Sequence, residues 1–240
     1  MREIEFDLEF DPQFTAAGKV LPVNETVTLD GQEISVTNIE VYPTHLRVEI
    51  TESEDNTAWL KSLDFYIETE QGTKFVPVSS GVTATGSADS PSMVSYRADS
   101  TYFYEAEQLK LVITGAKWLE KDMESTYLNL VTREHSELPD GVSFYSVQKQ
   151  GDNWSITVRS TPGENDEMPI PFSDIYLDSA GNRYSTEKLR LAIGKMNKDG
   201  SISYYNTFLT LNNYPYDEVW LTPQHSHIWT AEQPIEITVQ

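Results

Sequence analysis

The sequence of 240 residues contains no cysteine, which excludes disulfide bonds and zinc sites with thiolate ligands. Basic residues are also scarce: 17 Lys and Arg stand against 38 Asp and Glu, for a formal net charge of −21. A surface this negative repels phosphate backbones and anionic membranes, so we expect no nucleic-acid partner and no direct membrane binding. Without cysteine, the redox compartment stays undetermined.

Long apolar runs are missing too. None approaches the roughly 18 to 20 residues that span a bilayer, and the first ten residues, MREIEFDLEF, carry charges where a signal peptide needs an apolar segment. We therefore expect either a cytoplasmic protein or an ectodomain whose targeting and anchoring segments lie outside this chain. The local signatures of nucleophilic hydrolases and phosphate-binding loops are also lacking, and we predict that the chain is not an enzyme.

Short runs of alternating apolar and polar residues make up most of the chain. The N terminus alternates strictly over residues 3–10, with acidic residues on one side, as in a half-buried strand. Asp30 and Gly31 between two such runs predict a hairpin. Further strands are predicted at residues 27–29, 34–41, 46–50, 63–67, 102–104, 109–113 and 127–131.

Helical periodicity is limited to two short segments, residues 56–63 and 185–194. In the second segment a strand over residues 189–196 fits at least as well, because the capping signals of a helix are incomplete. No long segment has the 3.6-residue period of a helix. The chain is therefore predicted to be all-β, with sandwich architecture.

The second half of the chain repeats the order of the first. LDFYIETEQGTKF, residues 63–75, returns as FSDIYLDSAGNRY, residues 172–184, with Gly72 on Gly181. Ile34, Val36 and Ile39 correspond to Val142, Phe144 and Val147, each 108 positions later. Residues 46–50 correspond to 154–158, and residues 111–114 to 219–222, at the same spacing. Chance alternation does not hold so constant a spacing over four strands.

We therefore predict two tandem immunoglobulin-like β-sandwich domains related by an internal repeat. The first spans residues 1–135 and includes the extra acidic N-terminal strand, and the second spans residues 136–240. Each copy has roughly the 100 residues that an immunoglobulin-like sandwich needs.

The sharpest metal motif is KMNKDGSISYYN, residues 195–206. Four residues fall on the third, fifth, sixth and eighth positions of an EF-hand-type calcium loop: Asn197, Asp199, Gly200 and Ile202. Lys195 occupies the place of the first carboxylate, however, and Asn206 that of the bidentate Glu. The favoured interpretation is a hairpin loop over residues 197–200 with Gly200 at positive φ, and no metal or cofactor is predicted.

A second metal candidate is the pair His225 and His227, which would share one face of a strand. A zinc site needs a third or fourth ligand, and the sequence places none nearby. Packing of both imidazoles at the surface beside Trp229 is therefore the favoured interpretation.

Acidic and aromatic clusters complete the candidates. Glu52, Glu54 and Asp55 are compatible with a cation site, but a solvated loop is favoured in so acidic a chain. Five aromatic residues lie close together in sequence and are compatible with sugar stacking, with interface anchors or with a core: Tyr204, Tyr205, Tyr214, Tyr216 and Trp220. Trp220 is expected to face away from its two neighbours.

One segment resembles a known family. In KVLPVNETVTLDGQEISVTNIEVYPTHLRVEI, residues 19–50, a VNETV phrase precedes the Asp30-Gly31 hairpin, and Pro43-Thr44 opens the next strand. A later hairpin of the same family matches residues 178–184 and, more loosely, residues 68–75. The pattern is similar to the extracytoplasmic regions of Gram-positive membrane proteins described as sigma-factor regulatory or anti-sigma-like, whose surface domains are catalogued as of unknown function.

This resemblance implies immunoglobulin-like sandwiches outside the cell, tethered by an upstream transmembrane helix to a cytoplasmic segment. The implied role is sensing, spacing or interaction with an unknown protein or cell-envelope partner, with the membrane anchor outside this chain. An adhesion or carbohydrate-binding module of the cell surface is the alternative, and a hydrolase is a third possibility, since glycoside hydrolysis needs only two carboxylates.

Overall fold

A computed structural model describes residues 18–86, 91–104, 108–162, 169–186 and 190–239. Every regular element in these ranges is a β-strand, so the prediction of an all-β protein is confirmed. The predicted N-terminal strand, residues 3–10, lies outside the described residues. Where the chain is described, it has no helix that is long and apolar enough to cross a membrane.

The described residues form seventeen strands. In chain order these are β1 (Lys19–Leu29), β2 (Gln32–Val41), β3 (Leu46–Glu52), β4 (Ala58–Thr69), β5 (Lys74–Phe75), β6 (Pro77–Gly86), β7 (Pro91–Ala98), β8 (Leu109–Glu120), β9 (Thr126–Asn129), β10 (Val142–Gln150), β11 (Asn153–Ser160), β12 (Phe172–Leu177), β13 (Arg183–Ser185), β14 (Arg190–Met196), β15 (Ile202–Leu211), β16 (Glu218–Pro223) and β17 (His227–Val239).

The first of two compact units comprises the described residues up to Thr57, Ser62–Ala116 and the chain from Trp229 on. It contains a five-stranded sheet in the order β1-β2-β3-β7-β6 and most of a four-stranded sheet in the order β17-β8-β4-β5. Inward residues at alternate positions of β2 and β3 are fully buried, as the period of a half-buried strand requires. The predicted Asp30-Gly31 hairpin is observed, with positive φ at both residues.

The second unit comprises Lys117–Ile228 and the short segment Ala58–Lys61. Its two four-stranded sheets have the orders β10-β11-β15-β14 and β13-β12-β16-β9. Their inner sides share one core, whose largest fully buried side chains include Phe172 and Tyr214. The opposite, outer side of β10-β11-β15-β14 takes no part in this core, so polar residues can lie on it.

The hairpins β2–β3 and β10–β11 pair their two strands in the same register. Ile39 pairs with Val48, and Val147, 108 positions later, pairs with Ile156. Both hairpins also carry an irregularity at the same place, after Val36 in one and after Phe144 in the other. The strand pairs of the first hairpin therefore recur in the second at the same spacing of 108 positions that the sequence shows. That the chain holds two copies of one immunoglobulin-like domain remains a prediction.

The last strands interrupt this correspondence. In chain order β9 follows β8 and β17 follows β16, yet β9 pairs with β16 and β17 lies beside β8. The C-terminal strand thus completes a sheet begun near residue 58, while the short strand β9 completes the sheet of the second unit. The predicted boundary between residues 135 and 136 falls inside the second unit, and the independence of the two predicted domains stays a prediction.

Three local predictions can be compared with the strands. Residues 56–63 are not helical, because β4 begins at Ala58 and continues to Thr69. Residues 102–104 are not a strand but a turn, in which the amide of Tyr104 donates to the carbonyl of Thr101 over 2.9 Å. In the segment 185–194 the strand alternative is correct for Arg190–Met196.

Candidate binding face

The sheet β10-β11-β15-β14 differs from the rest of the chain in charge. Its four strands contain no Asp or Glu, although the chain has 38 of them, and they carry four cations: Lys149, Arg159, Arg190 and Lys195. By contrast, the five-stranded sheet of the first unit contains five glutamates in β1, β2 and β3. We call the outer side of β10-β11-β15-β14, which holds Arg159 and Arg190, the cationic face. Lys149 pairs with the core residue Trp154 and lies over its ring on the other side.

A stack of three side chains crosses the cationic face. The guanidinium carbon of Arg159, on β11, lies 3.9 Å from the ring centroid of Tyr145 on β10 and 3.9 Å from that of Tyr204 on β15. Such distances are typical of cation–π contacts. The Tyr145 ring keeps 60% of its surface exposed, so the stack presents a flat aromatic surface to solvent.

The position of the Tyr204 ring depends on a glycine. Gly194 lies on the neighbouring strand β14, at an irregularity in its pairing with β15. A Cβ atom added there would collide with the Tyr204 ring. The absence of a side chain at Gly194 therefore allows the ring to lie close to the backbone of β14 and against Arg159.

A recess of about 660 Å³ lies on the same sheet, lined by residues of all four of its strands. The residues that line it are mostly polar and include Gln150, Ser155, Thr186, Arg190, Phe208 and Thr210. The volume lies within the range of about 300 to 1,000 Å³ found for small-molecule sites. One aromatic ring, one guanidinium and several hydroxyl and amide groups thus share one concave surface.

Several polar atoms at this face have no partner among the described residues. Oγ1 of Thr186, a residue 5% exposed, makes no hydrogen bond, and neither do Oδ1 of Asn206 and Nε of Arg159. Buried polar groups are normally paired within the protein or with another molecule. Arg159 and Arg190 also form no ion pair with any described residue, so both cations are available to a ligand.

The segment with the calcium-loop-like motif is the hairpin between β14 and β15. Gly200 has φ +89°, as the hairpin interpretation requires. The Asp199 carboxylate accepts hydrogen bonds from the backbone and side chain of Ser201, at 3.0 and 2.7 Å, and these contacts lower its pKa. Asn197 Oδ1 accepts from the hydroxyl of Ser203 over 2.6 Å. The oxygens that would bind calcium are therefore engaged in the turn itself.

Of the two histidines expected to pack at the surface beside Trp229, His225 is buried instead. His225 is buried and precedes β17, whereas His227 is the first residue of that strand and is partly exposed. Nδ1 of His227 lies 3.7 Å from Oε1 of Glu120. Within the described residues, no group of three or more His, Cys, Asp or Glu side chains is placed to hold a metal ion.

The acidic cluster forms the turn between β3 and β4. Glu54 and Asp55 are exposed there, while Asn56 is buried and bonds the backbone of Glu33, donating over 2.8 Å and accepting over 2.7 Å. The loop is thus anchored by an amide, and its carboxylates project from it.

The five aromatic candidates separate into different environments. Tyr204 belongs to the cationic face, while Tyr205 and Tyr214 point into the core. Trp220 faces away from the buried Val219 and Leu221, as expected, and its ring packs 5.3 Å from that of Tyr127. Tyr216 lies beside Tyr214 and is 44% exposed.

Tyr145, Arg159 and Arg190 were not among the residues that the sequence singled out. One signal in the sequence points to them: four strands without a carboxylate in a chain of net charge −21. The residues 108 positions before Tyr145 and Arg159 are Thr37 and Thr51, so the matching place in β2 and β3 has no such stack.

Two comparisons with known proteins bear on these observations. A search of curated proteins found no match. A family model matches residues 18–139, from the start of the described chain to the turn before β10. Because this match covers just over half of the sequence, the chain belongs to DUF5643, a family of unknown function.

Proposed function

We propose that this chain is the non-enzymatic extracytoplasmic part of a membrane-anchored regulatory protein, and that the cationic face recognises its signal or partner. The observation that carries the proposal is a carboxylate-free sheet in a chain with 38 acidic residues. Arginines on so acidic a chain attract carboxylates from the same molecule, but among the residues that the structure describes Arg159 and Arg190 have none as ion-pair partners. Their charge therefore remains available for recognition.

The regulatory role rests on the resemblance of residues 19–50 to sigma-factor regulatory, anti-sigma-like membrane proteins. Those residues lie within the part of the chain that belongs to the family. In this proposal an upstream transmembrane helix connects the two units to a cytoplasmic segment that acts on transcription. Recognition at the cationic face would change the state of that segment.

The test uses the complete gene in its own host, with a transcriptional reporter for the regulated genes. We expect the double variant Arg159→Gln and Arg190→Gln to alter the reporter response, and the control Arg183→Gln to leave it unchanged. Arg183 lies on β13 in the other sheet of the second unit, so the control removes a cation without changing the face. A gene without a transmembrane segment before Met1, or a reporter that ignores the double variant, would contradict the proposal.

The second candidate is a cell-surface adhesion or carbohydrate-binding module. It is favoured by the exposed Tyr145 ring stacked on Arg159, because flat aromatic surfaces pack well against the C–H faces of sugars. This candidate predicts binding to cell-wall material that depends on Tyr145 but has no effect on the reporter. Both candidates use the cationic face. They differ in whether binding there changes the cytoplasmic segment and so the reporter.

A further inference from the structure

We infer that the ligand of the cationic face is an acidic glycan, a sugar polymer that carries carboxylate, sulfate or phosphate groups. This inference rests on the proposed function, since it names the ligand of the same face. It follows from three requirements that the described residues place on any ligand: negative charge, hydroxyl groups and an apolar surface.

The negative charge is required by the arginines. The rings of Tyr145 and Tyr204, from the strands on either side of β11, each lie 3.9 Å from the Arg159 guanidinium carbon, and the N–H groups of a guanidinium donate in its own plane. A planar set of donors matches an anion with two oxygens, such as a carboxylate or a sulfate. Arg190 supplies a second cation at the recess. The strands of the face hold no carboxylate that would repel such a group.

The hydroxyl groups are required by the unpartnered polar atoms. Where the chain is described, Oδ1 of Asn206 is an acceptor without a donor, and Oγ1 of Thr186, buried at the recess, has no partner of either kind. A sulfate or carboxylate ion alone offers no proton to an amide oxygen. A sugar hydroxyl both donates and accepts, and so matches the Thr186 hydroxyl at the recess, while a second sugar hydroxyl can donate to an amide oxygen such as that of Asn206.

The apolar surface is required by the aromatic rings. Tyr145 is 60% exposed, and Phe208 lines the recess beside the hydroxyls of Ser155 and Thr210. The negative face of an aromatic ring attracts the slightly positive C–H groups on one side of a sugar ring. Along β15 the residues on this side alternate between rings, at Tyr204 and Phe208, and polar groups, at Asn206 and Thr210.

The first unit lacks these properties. Its equivalent sheet has Thr37 and Thr51 in place of the tyrosine and arginine of the stack, and its Arg47 is paired with Glu40 over 3.2 Å. The glycan is therefore expected to bind the second unit alone, one site per chain.

The experiment measures binding of the full chain to two pairs of polymers by isothermal titration calorimetry and affinity electrophoresis. Polygalacturonate is compared with its methyl-esterified form, and dextran sulfate with dextran. The first pair tests carboxylate recognition and the second sulfate recognition. The chain has a net charge of −21, so it repels a polyanion overall. Saturable binding that weakens with salt therefore indicates a local cationic site.

Single variants then locate the site. Arg159→Gln, Arg190→Gln and Tyr145→Ala should each weaken binding about tenfold or more, while Arg183→Gln and Thr51→Ala should leave it unchanged. Far-UV circular dichroism and the melting temperature of each variant verify the fold. Gly194→Ala is a second approach to the same site, since it displaces the Tyr204 ring without removing a charge.

Saturable binding of either acidic polymer, lost in the three face variants and kept in the two controls, supports the inference. Equal binding of charged and neutral polymers overturns it, and so does binding only to vesicles of phosphatidylglycerol. Absence of binding to all four polymers also overturns it. In that case the reporter experiment still decides the proposed function, because a face that recognises a protein would change the reporter without binding any glycan.

Discussion

The hydroxyl of Tyr184 donates a hydrogen bond of 3.1 Å to Oδ2 of Asp178, a residue with 4% of its surface exposed. The same carboxylate accepts from the side chain of Asn182 over 2.9 Å and from the backbone amides of Ala180 and Asn182. These donors, the Asn182 side chain above all, lower the pKa of Asp178. Burial and the bond to Asp178 raise the pKa of Tyr184 to about 12. The hairpin that the sequence shows twice is thus held, in its second copy, by an ionised carboxylate.

We predict that this carboxylate makes the protein less stable in acid. Since the pKa of Asp178 is lower in the folded state than its ordinary value of 3.8, the ionised group adds stability above that pH. The contribution is lost as the pH falls through the lower, folded-state pKa. Urea unfolding between about pH 5 and about pH 2 should show a shallower loss of stability in Asp178→Asn than in the wild type.

Tyr184→Phe provides an intermediate case, since it removes one of the donors and keeps the charge. It should move the pKa of Asp178 toward 3.8, as measured by NMR titration of the side-chain carboxyl carbon. A wild-type pKa at or above that value would contradict the hydrogen-bonding pattern.

A second prediction concerns the glycine of the same hairpin. Gly181 has φ +79° and its equivalent Gly72 has φ +81°, and no atom lies within 4 Å of where a Cβ would be at either position. Substitution by Ala therefore adds backbone strain without a clash, and should cost about 1 to 2 kcal/mol in urea unfolding. Gly181→Asn should cost less, because Asn tolerates this conformation. Equal losses for Ala and Asn would show that the backbone conformation is not the cause.

Ser226 supplies a third prediction. Its hydroxyl donates to the carbonyl of Trp118 over 2.9 Å and accepts from the amide of Glu120 over 3.0 Å. Ser226 is 4% exposed, so Ser226→Ala removes the partner of the Glu120 amide and one of the two donors to the Trp118 carbonyl. It should reduce the free energy of unfolding by about 1 to 3 kcal/mol. Ser143→Ala, at an exposed position of β10, should change it by less than about 0.5 kcal/mol. Similar values for the two variants would contradict the assigned role.

The pairing of β9 and β17 leads to a fourth prediction. Cutting the chain between residues 135 and 136 separates β9 from β16 and β17 from β8. Each fragment, 18–135 and 136–240, then lacks one strand of its sheets and should not form a stable folded monomer. A mixture of the two should recover a 1:1 complex with cooperative unfolding, as measured by light scattering and circular dichroism.

A fragment with all strands of its sheets is the control. Residues 117–228 contain β9 through β16, and this segment should fold as a monomer. If fragments 18–135 and 136–240 each unfold cooperatively as monomers, then β17 is not needed beside β8, and β9 is not needed beside β16.

Alternation of apolar and polar residues was sufficient to predict the all-β class and most strands, because it directly reflects which side of a sheet is buried. It failed at residues 56–63 for a physical reason. In β4 the buried positions run through Ala58 and Leu60 and then resume at Leu63 and Phe65. This change of phase puts apolar residues three positions apart, which is also the spacing of a helix.

The candidate site was less accessible to sequence reasoning. Its stack brings together Tyr145, Arg159 and Tyr204 from three strands, and their proximity depends on the sheet order β10-β11-β15. A period of two specifies which residues share a side of a strand but not which strands are neighbours. The same limit explains why the pairing of β17 with β8 was not foreseen. The charge of the four strands could have been read from the sequence, once their membership of one sheet was known.

The position of β17 also determines when folding can finish. Ribosomes make the chain from its N terminus, and domains usually fold in that order as they emerge. Here the edge of β8 waits for residues 229–239, the last described segment, so the second unit has all its strands before the first does. A nascent chain of this design therefore keeps the edge of β8 open until β17 has emerged from the ribosome.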